Sequence, residues 1–382
     1  MEHWFDFDRR IFKHFNYLLI IQLVPLFIIS SYLIHEMNPY LFNKQMVYYF
    51  LASIAFFIVA FIPWRLIFWW FVPLFYVGNL GLLLAVEFIG KSILGAKRWI
   101  EIPGIGLTIQ PSEFMKVSVI MMLAYLISRK PPPLQGYGIL QFLKLSIVII
   151  IPFLLIAKEP DLGTALVLLI AGYGVLFIVG INWKIWVTLA VIGGIGAPFI
   201  YQYGLKPYQK TRIHDALNKP SYQVRQALIA IGSGGLEGKE KEEATQTQLK
   251  FLPVSSTDFI FAYLGERFGF KGMTTVIALY VLLIFNLLYI SAKHAQDYLI
   301  KTFAAGIAFL IFVYMGVNIY MVIGLAPVVG LPLPMFSHGG TSFIIFAIIF
   351  GILQNLIAFK DYSRYNADSK IIMTSKDEPT IR

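Results

Sequence analysis

The sequence predicts an all-α polytopic membrane protein, and three observations carry that prediction. Hydrophobic residues make up 58% of the 382-residue chain and charged ones only 14%, against about a quarter charged in an ordinary soluble domain. Apolar runs of roughly 17–25 residues, the length that crosses a bilayer as a helix, recur about ten times. Tryptophans and tyrosines gather at the ends of these runs (Trp64, Trp69, Trp70, Trp183, Trp186, Tyr201, Tyr203), as amphipathic rings do at a membrane interface. No single soluble core hides so much apolar surface, so lipid is the solvent for most of the chain.

The expected spans lie near 16–36, 45–63, 66–89, 113–128, 142–157, 162–180, 185–203, 272–291, 302–323 and 342–359. The opening "MEHWFDFDRRIFKHFN" mixes acids with bases and lacks a small-residue cleavage site, so it does not read as a secretory signal. Short loops carrying Arg9, Arg10, Lys13, Arg65, Arg129, Lys130, Lys184, Lys293, Lys360 and Arg364 fall on one face, which the positive-inside rule makes cytoplasmic together with both termini. The other face receives one large extracytoplasmic loop, about 204–271, too long to count in that rule. Lys97 and Arg98, in a short outer loop, are the exception. Residues 1–360 therefore form one integral-membrane domain, and 361–382 a short polar tail expected to be disordered and cytoplasmic. No internal repeat is evident. The net charge of +10 is dispersed between spans, so nucleic-acid binding is not indicated, and the absence of cysteine removes disulfide and thiolate chemistry.

Five stretches could carry chemistry. In "GAKRWIEIPGIGLTIQPSEFMK", residues 95–116, glycine and proline break any helix until Pro111, which suits a first helical position. Glu113 and Lys116 then share a helix face. They read either as a local ion pair, with Lys97 and Arg98 snorkelling, or as part of an outward anion site suited to phosphate. In "AKEPDLGTALVLL", Lys158, Glu159 and Asp161 sit between two apolar spans. Asp161 is either an N-cap or one of the costly, functional charges found near hydrocarbon. The outer loop holds a basic stretch (Lys206, Lys210, Arg212, Lys219, Arg225), an amphipathic helix in "SYQVRQALIAIG", a glycine turn at 232–235 and a solvated charged tip.

The fourth stretch is "LPVSSTDFIFAYLGERFGFKG", residues 252–272. Ser255-Ser256-Thr257-Asp258 reads as a capping-box-like helix start. The aromatic run after Asp258 argues the other way, because burial would raise the pKa of its carboxyl toward a base's working range. Finally, "NIYMVIGLAPVVGLPLPMFSHGGTS", 318–342, packs Gly324, Pro327, Gly330, Pro332, Pro334, Gly339 and Gly340 into an apolar context. Irregular backbone at membrane depth survives only inside protein or along a cavity, so this is expected to be a re-entrant wall before the last helix.

Together these stretches resemble the shape, elongation, division and sporulation (SEDS) family of bacterial membrane proteins. "GAKRWI…QPSEFMK", "EPDLGTA", "TQTQLKFLP…TDFIFA" and the glycine- and proline-rich signature with Asn318, Gly324, Pro332, Pro334, Gly339, Gly340 and Ser342 match in order from about 90 to 360. "TQTQLKFLP" and the short tails resemble the elongation branch. The resemblance implies a peptidoglycan polymerase of the bacterial inner membrane, a glycosyltransferase that joins lipid II units into β-1,4 glycan strands for cell elongation and rod shape. It places the essential aspartate on Asp258, as general base. Arg98 and Lys116, then Lys97 and Arg225, become candidates for the leaving diphosphate. Glu113, Asp161, Ser337, Gly339 and Gly340 become supporting residues, with Glu113 and Asp161 candidate ligands of a divalent cation, Mg or Mn. Implied partners are lipid II, the growing glycan strand, a class B penicillin-binding protein (a transpeptidase) and other elongation-complex membrane proteins. The other readings are a lipid II flippase and a non-catalytic scaffold for the transpeptidase. Two departures stand out: Val254-Ser255-Ser256 where the family has charged side chains, and His338 where it has tyrosine.

Overall fold

The computed structural model describes residues 15–93, 96–101, 108–159, 161–204, 210, 221–249 and 251–360. The expected tail, the N-terminal basic residues, Lys206, Arg212 and Lys219 lie outside the described residues. In chain order the helices are α1 (Tyr17–Met37), α2 (Pro39–Phe61), α3 (Trp64–Ile89), α4 (Pro111–Arg129), α5 (Ile139–Lys158), α6 (Leu162–Val179), α7 (Trp183–Phe199), α8 (Tyr222–Gly234), α9 (Ile260–Lys293), α10 (Tyr298–Val322) and α11 (Gly340–Ala358). Nine of them, all but α7 and α8, are long and apolar enough to cross a membrane. The chain is a multi-pass membrane protein. The seventh expected span, near 185–203, is α7, which has 17 residues, none of them buried, and runs into a π-helical turn at Ile200–Gly204.

Helix boundaries follow local chemistry. Asn38 closes α1, and its side chain accepts from the Tyr40 amide to open α2, where Pro39 occupies the first turn. Pro111 opens α4 in the same way. Asp161, Ser221 and Asp297 cap α6, α8 and α10 with side-chain oxygens. Between α3 and α4 the chain forms a small antiparallel sheet, β1 (Lys91–Ile93), β2 (Ala96–Glu101) and β3 (Thr108–Ile109). It is the hairpin expected of a glycine- and proline-broken segment, and it packs over the ends of α3 and α4.

The eighth expected span, near 272–291, is the second part of a longer element. Helix α9 starts at Ile260 and kinks at Gly269, whose φ is +59°. A side chain there would meet the Gly238 nitrogen at 2.5 Å, so glycine permits both the kink and the approach of the outer loop. The first part of α9 packs against amphipathic α8.

Burial separates the interior from the lipid-facing rim. In the apolar windows of α4, α10 and α11, 67%, 67% and 72% of residues are buried, against 17% in α2 and 28% in α3. The interior helices hold the polar side chains described below. Between α10 and α11 the chain has no helix, yet Leu331, Leu333, Met335, Phe336 and Ser337 are buried. Its backbone is satisfied by neighbours, as buried irregular chain requires. Tyr280 Oη donates to the Pro334 carbonyl at 2.6 Å, Ser30 Oγ donates to that of Phe336, and Asn318 Nδ2 donates to that of Leu331 at 2.6 Å. This is the re-entrant wall.

Candidate active site

Asp258 lies in a turn, not at a helix start. The Val254 carbonyl accepts from the amides of Thr257 (3.1 Å) and Phe259 (3.3 Å), with Val254 itself at φ +55°. The backbone stays non-helical through Phe259, which is the N-cap residue and makes no side-chain cap bond. The capping-box reading therefore fails, because the tight turn postpones the helix past Asp258. Its carboxylate has no hydrogen-bond or ion-pair partner among the described residues. Asp258 is half-buried, next to fully buried Phe259 and Phe261. Desolvation raises the pKa of its carboxyl to about 6.

Three hydrogen bonds position this turn. Asn318 Nδ2 donates to the Asp258 carbonyl at 2.8 Å as well as to that of Leu331. Ser337 Oγ donates to the Thr257 carbonyl at 2.7 Å and accepts from the Leu333 amide at 2.8 Å. The His338 amide donates to the Ser256 carbonyl at 2.9 Å. The carboxylate faces Gly330 (φ +72°), where an added Cβ would sit 3.4 Å from Asp258 Oδ2. Ser337 thus ties the turn to the re-entrant wall. A Cβ at Gly340 would lie 2.4 Å from the Tyr48 ring, and one at Gly339 would meet the Ser342 Cβ at 4.0 Å.

The cations divide into two groups. Lys116 is buried at the start of α4, 2.6 Å from Glu113 Oε1 and in contact with Tyr314 Oη, which also donates to Glu113 Oε2 at 3.1 Å. The local ion pair is thus real, and it is enclosed. Tyr314 and Asn318 are one turn apart on α10, so a single helix face carries both this pair and the Asp258 turn. Arg98 pairs with Asp161 at 3.6 Å and keeps 25% of its side chain exposed. Asp161 is also the N-cap of α6, accepting from the Thr164 amide (3.3 Å) and from Gln110 Nε2 (3.4 Å). Asp161 thus caps α6 and also pairs with Arg98. Lys97, the neighbour of Arg98 on β2, is exposed, as is Arg225 on α8.

The two charge centres meet at one stretch of the re-entrant wall. Gly163, in the turn that Asp161 caps, approaches Val329 so closely that a Cβ would overlap its Cγ1 at 1.6 Å. The next residue, Gly330, borders Asp258. The turn of Asp161, with which Arg98 pairs, and Asp258 therefore both border Val329–Gly330.

Three groups escaped the sequence reading of individual roles. Glu159 is 5% exposed, and neither of its carboxyl oxygens has a hydrogen-bond partner. Burial, then the charges of Asp161 and Glu87 against the opposing one of Arg98, raise its pKa to about 8. Tyr314 could have been suspected from its four-residue spacing to Asn318. Glu36 of α1 receives Arg267 Nε (2.8 Å), Arg267 Nη2 (2.7 Å) and Tyr263 Oη (3.0 Å), locking the Asp258 end of α9 to α1; no local pattern announces a pair 231 residues apart.

The expected divalent site does not fit these residues. Glu113 is engaged by Lys116 and Tyr314, and Asp161 by Arg98, Gln110 and a helix amide. Among the described residues there is no group of three or more His, Asp or Glu side chains that could hold a metal.

The chain matches the cell cycle protein family FtsW/RodA/SpoVE over residues 8–362. It belongs to that family. A peptidoglycan glycosyltransferase MrdB of Helicobacter pylori (strain ATCC 700392 / 26695) is 49% identical over 361 residues, covering 94% of each chain. The peptidoglycan glycosyltransferase MrdB of Escherichia coli (strain K12) is 36% identical, over 90% of this chain and 93% of its own. Among solved structures, the rod shape determining protein RodA of Thermus thermophilus superposes with a TM-score of 0.66 at 25% identity, over 91% of this chain and 97% of its own. A chain of a peptidoglycan synthase complex shares the fold with a TM-score of 0.78. Against the pattern expected of the FtsW/RodA/SpoVE family, Val254-Ser255-Ser256 contribute backbone carbonyls in place of charged side chains. His338 is a packing residue 6.3 Å from Tyr48, its pKa lowered by burial and by Lys44.

Proposed function

We propose that this chain is a peptidoglycan glycosyltransferase that joins lipid II disaccharide-peptide units into β-1,4 glycan strands and releases undecaprenyl diphosphate, for cell elongation and rod shape. The observation that carries the reading is Asp258: an accessible carboxylate without a partner, its pKa raised to about 6, fixed on a turn that faces a glycine. A general base needs this combination of reach, free lone pairs and a pKa close to working pH.

In the proposed reaction Asp258 takes the proton from the 4-hydroxyl of the acceptor's N-acetylglucosamine. The hydroxyl oxygen forms its bond to the anomeric carbon of the donor sugar, and the carbon–oxygen bond to the diphosphate breaks from the opposite face. The electron pair leaves with the diphosphate, a stable anion, so no general acid is needed, and the anomeric centre inverts. Arg98, partly exposed and paired with Asp161, whose turn borders Val329–Gly330, is the fixed cation best placed for the developing charge, with Lys97 beside it on the same strand. Lys116, enclosed by Glu113 and Tyr314, positions α4 against α10. Arg225 is a candidate for the lipid-linked substrate at the edge of the outer loop. The active face is extracytoplasmic, with both termini in the cytoplasm of a bacterial inner membrane. The partner proposed is a class B penicillin-binding protein, since the fold is shared with a chain of a synthase complex.

The test incubates purified chain, alone and with its transpeptidase, with labelled lipid II and separates products by size. A ladder of glycan polymers from the wild type that Asp258→Asn abolishes, with lipid II binding retained, is the expected result. A ladder unchanged by Asp258→Asn overturns the role of Asp258, and no ladder under either condition overturns the polymerase.

A further inference from the structure

The membrane face opposite Asp258 carries a second polar cavity. Helix α9 begins beside Asp258, kinks at Gly269 and ends at Lys293, and it is long and apolar enough to cross the bilayer. At that far end lies a cavity of about 510 Å³ whose lining includes Asn16, Leu18, Tyr289, Lys293, His294 and Lys360.

Among the described residues its charge is one-sided: neither Lys293 nor Lys360 has an acidic partner. The acid whose charge reaches His294, Asp297, is paired with Arg65 and caps α10 through the amides of Leu299 and Ile300. His294 Nδ1 is buried without a hydrogen-bond partner. Burial and the charge of Lys360, opposed by Asp297 and joined by smaller effects of Lys293 and Arg65, lower its pKa. The cavity thus brings together two ammonium groups and an imidazole nitrogen that have no acidic or hydrogen-bond partner among the described residues. Basic residues are common at this face of membrane proteins; a shared cavity between helix ends is not required for that bias, and it suits a bound anion.

The rim of the cavity meets lipid. Leu18 is 54% exposed and Tyr289 63% exposed, on the outer faces of α1 and α9. A ligand with a phosphate in the cavity and apolar chains over these side chains would satisfy both surfaces. We propose that this cavity binds the phosphate headgroup of an anionic phospholipid, with Lys293 and Lys360 taking its oxygens, His294 completing the hydrogen bonds, and the acyl chains lying along Leu18 and Tyr289. The proposal is independent of the reaction at Asp258.

The experiment is native mass spectrometry of the full chain in neutral detergent, titrated separately with phosphatidylglycerol, phosphatidylcholine and inorganic phosphate. The expected result is one phosphatidylglycerol retained at concentrations where phosphatidylcholine is not, with retention weakened about thirtyfold by the double variant Lys293→Gln, Lys360→Gln, from about a fivefold contribution per lysine. Lys184→Gln, a basic residue outside the cavity, should leave retention unchanged. Equal melting temperatures of all variants in phosphatidylcholine vesicles show that they are folded. Equal retention of the two lipids, or retention unaltered in the double variant, overturns the proposal. Inorganic phosphate displacing the lipid at equal concentration also overturns it, assigning the cavity to a free anion.

Discussion

Asp258 and Glu159 are two carboxyls on the same side of the molecule, both with a pKa raised chiefly by burial, to about 6 and about 8. Their surroundings differ. Asp258 is half-buried, has no charged group among the causes of its shift, and sits on a turn held by Asn318, Ser337 and His338. Glu159 is enclosed, with Asp161, Glu87 and Arg98 all acting on it. A raised pKa alone therefore does not make a base; reach to substrate does. Glu159 is proton-bearing at neutral pH and closed off, which suits a neutral spacer beside the Arg98–Asp161 pair.

The largest effect should come from Asp258→Asn, which removes the base and keeps the shape: polymerisation should fall by about 10²–10⁴, while Glu159→Gln should leave the rate within about threefold. Equal losses from both would break the comparison. Next in size, Lys116→Met strands the Glu113 carboxylate between α4 and α10 and should cost about 3–5 kcal/mol, read as a fall in melting temperature that the double variant with Glu113→Gln largely restores. Gly330→Ala forces a side chain into φ +72° beside Asp258 Oδ2; the strain of about 1–2 kcal/mol should appear as a lower rate with little change in lipid II binding.

pH separates the two carboxyls further. The polymerisation rate should rise as pH increases through about 6, following ionisation of Asp258, and Glu159→Gln should leave that limb in place. Stability should move the other way. A carboxyl whose folded pKa lies above its unfolded value binds more protons when folded, so stability falls as pH rises between the two values. For Asp258 that window closes near pH 6, and for Glu159 near pH 8. Between pH 6 and 8 the wild type should therefore lose melting temperature, and Glu159→Gln should flatten that slope. The smallest effect expected is that of chelator: since no cluster among the described residues fits a metal, EDTA should leave the melting temperature unchanged.

Much of this arrangement was legible in the sequence. Span positions follow from apolar length, and Pro39, Pro111 and Asp161 open helices where local chemistry places them. Asp258, Arg98, Lys116 and Ser337 stood out as candidates. The form of the Asp258 turn did not: "SSTD" carries a capping pattern, and hydrogen bonds from Asn318 and Ser337, 60 and 80 residues away, and from the His338 amide hold it in another shape. Lys116 reads either as a local ion pair or as part of an outward anion site, and its enclosure is made by Tyr314, 198 residues on. The sequence places Glu159 only between two apolar spans, and its burial comes from tertiary packing around the α5–α6 turn.

By itself the sequence determined that the chain lives in lipid, where its helices begin, and which residue types crowd the outer face, because hydropathy, helix breakers and caps act over a few residues at a time. The tertiary structure decided which carboxylate is free, which cation is enclosed and which acid is neutral. Those properties depend on desolvation and on partners hundreds of residues away, and no local pattern encodes them.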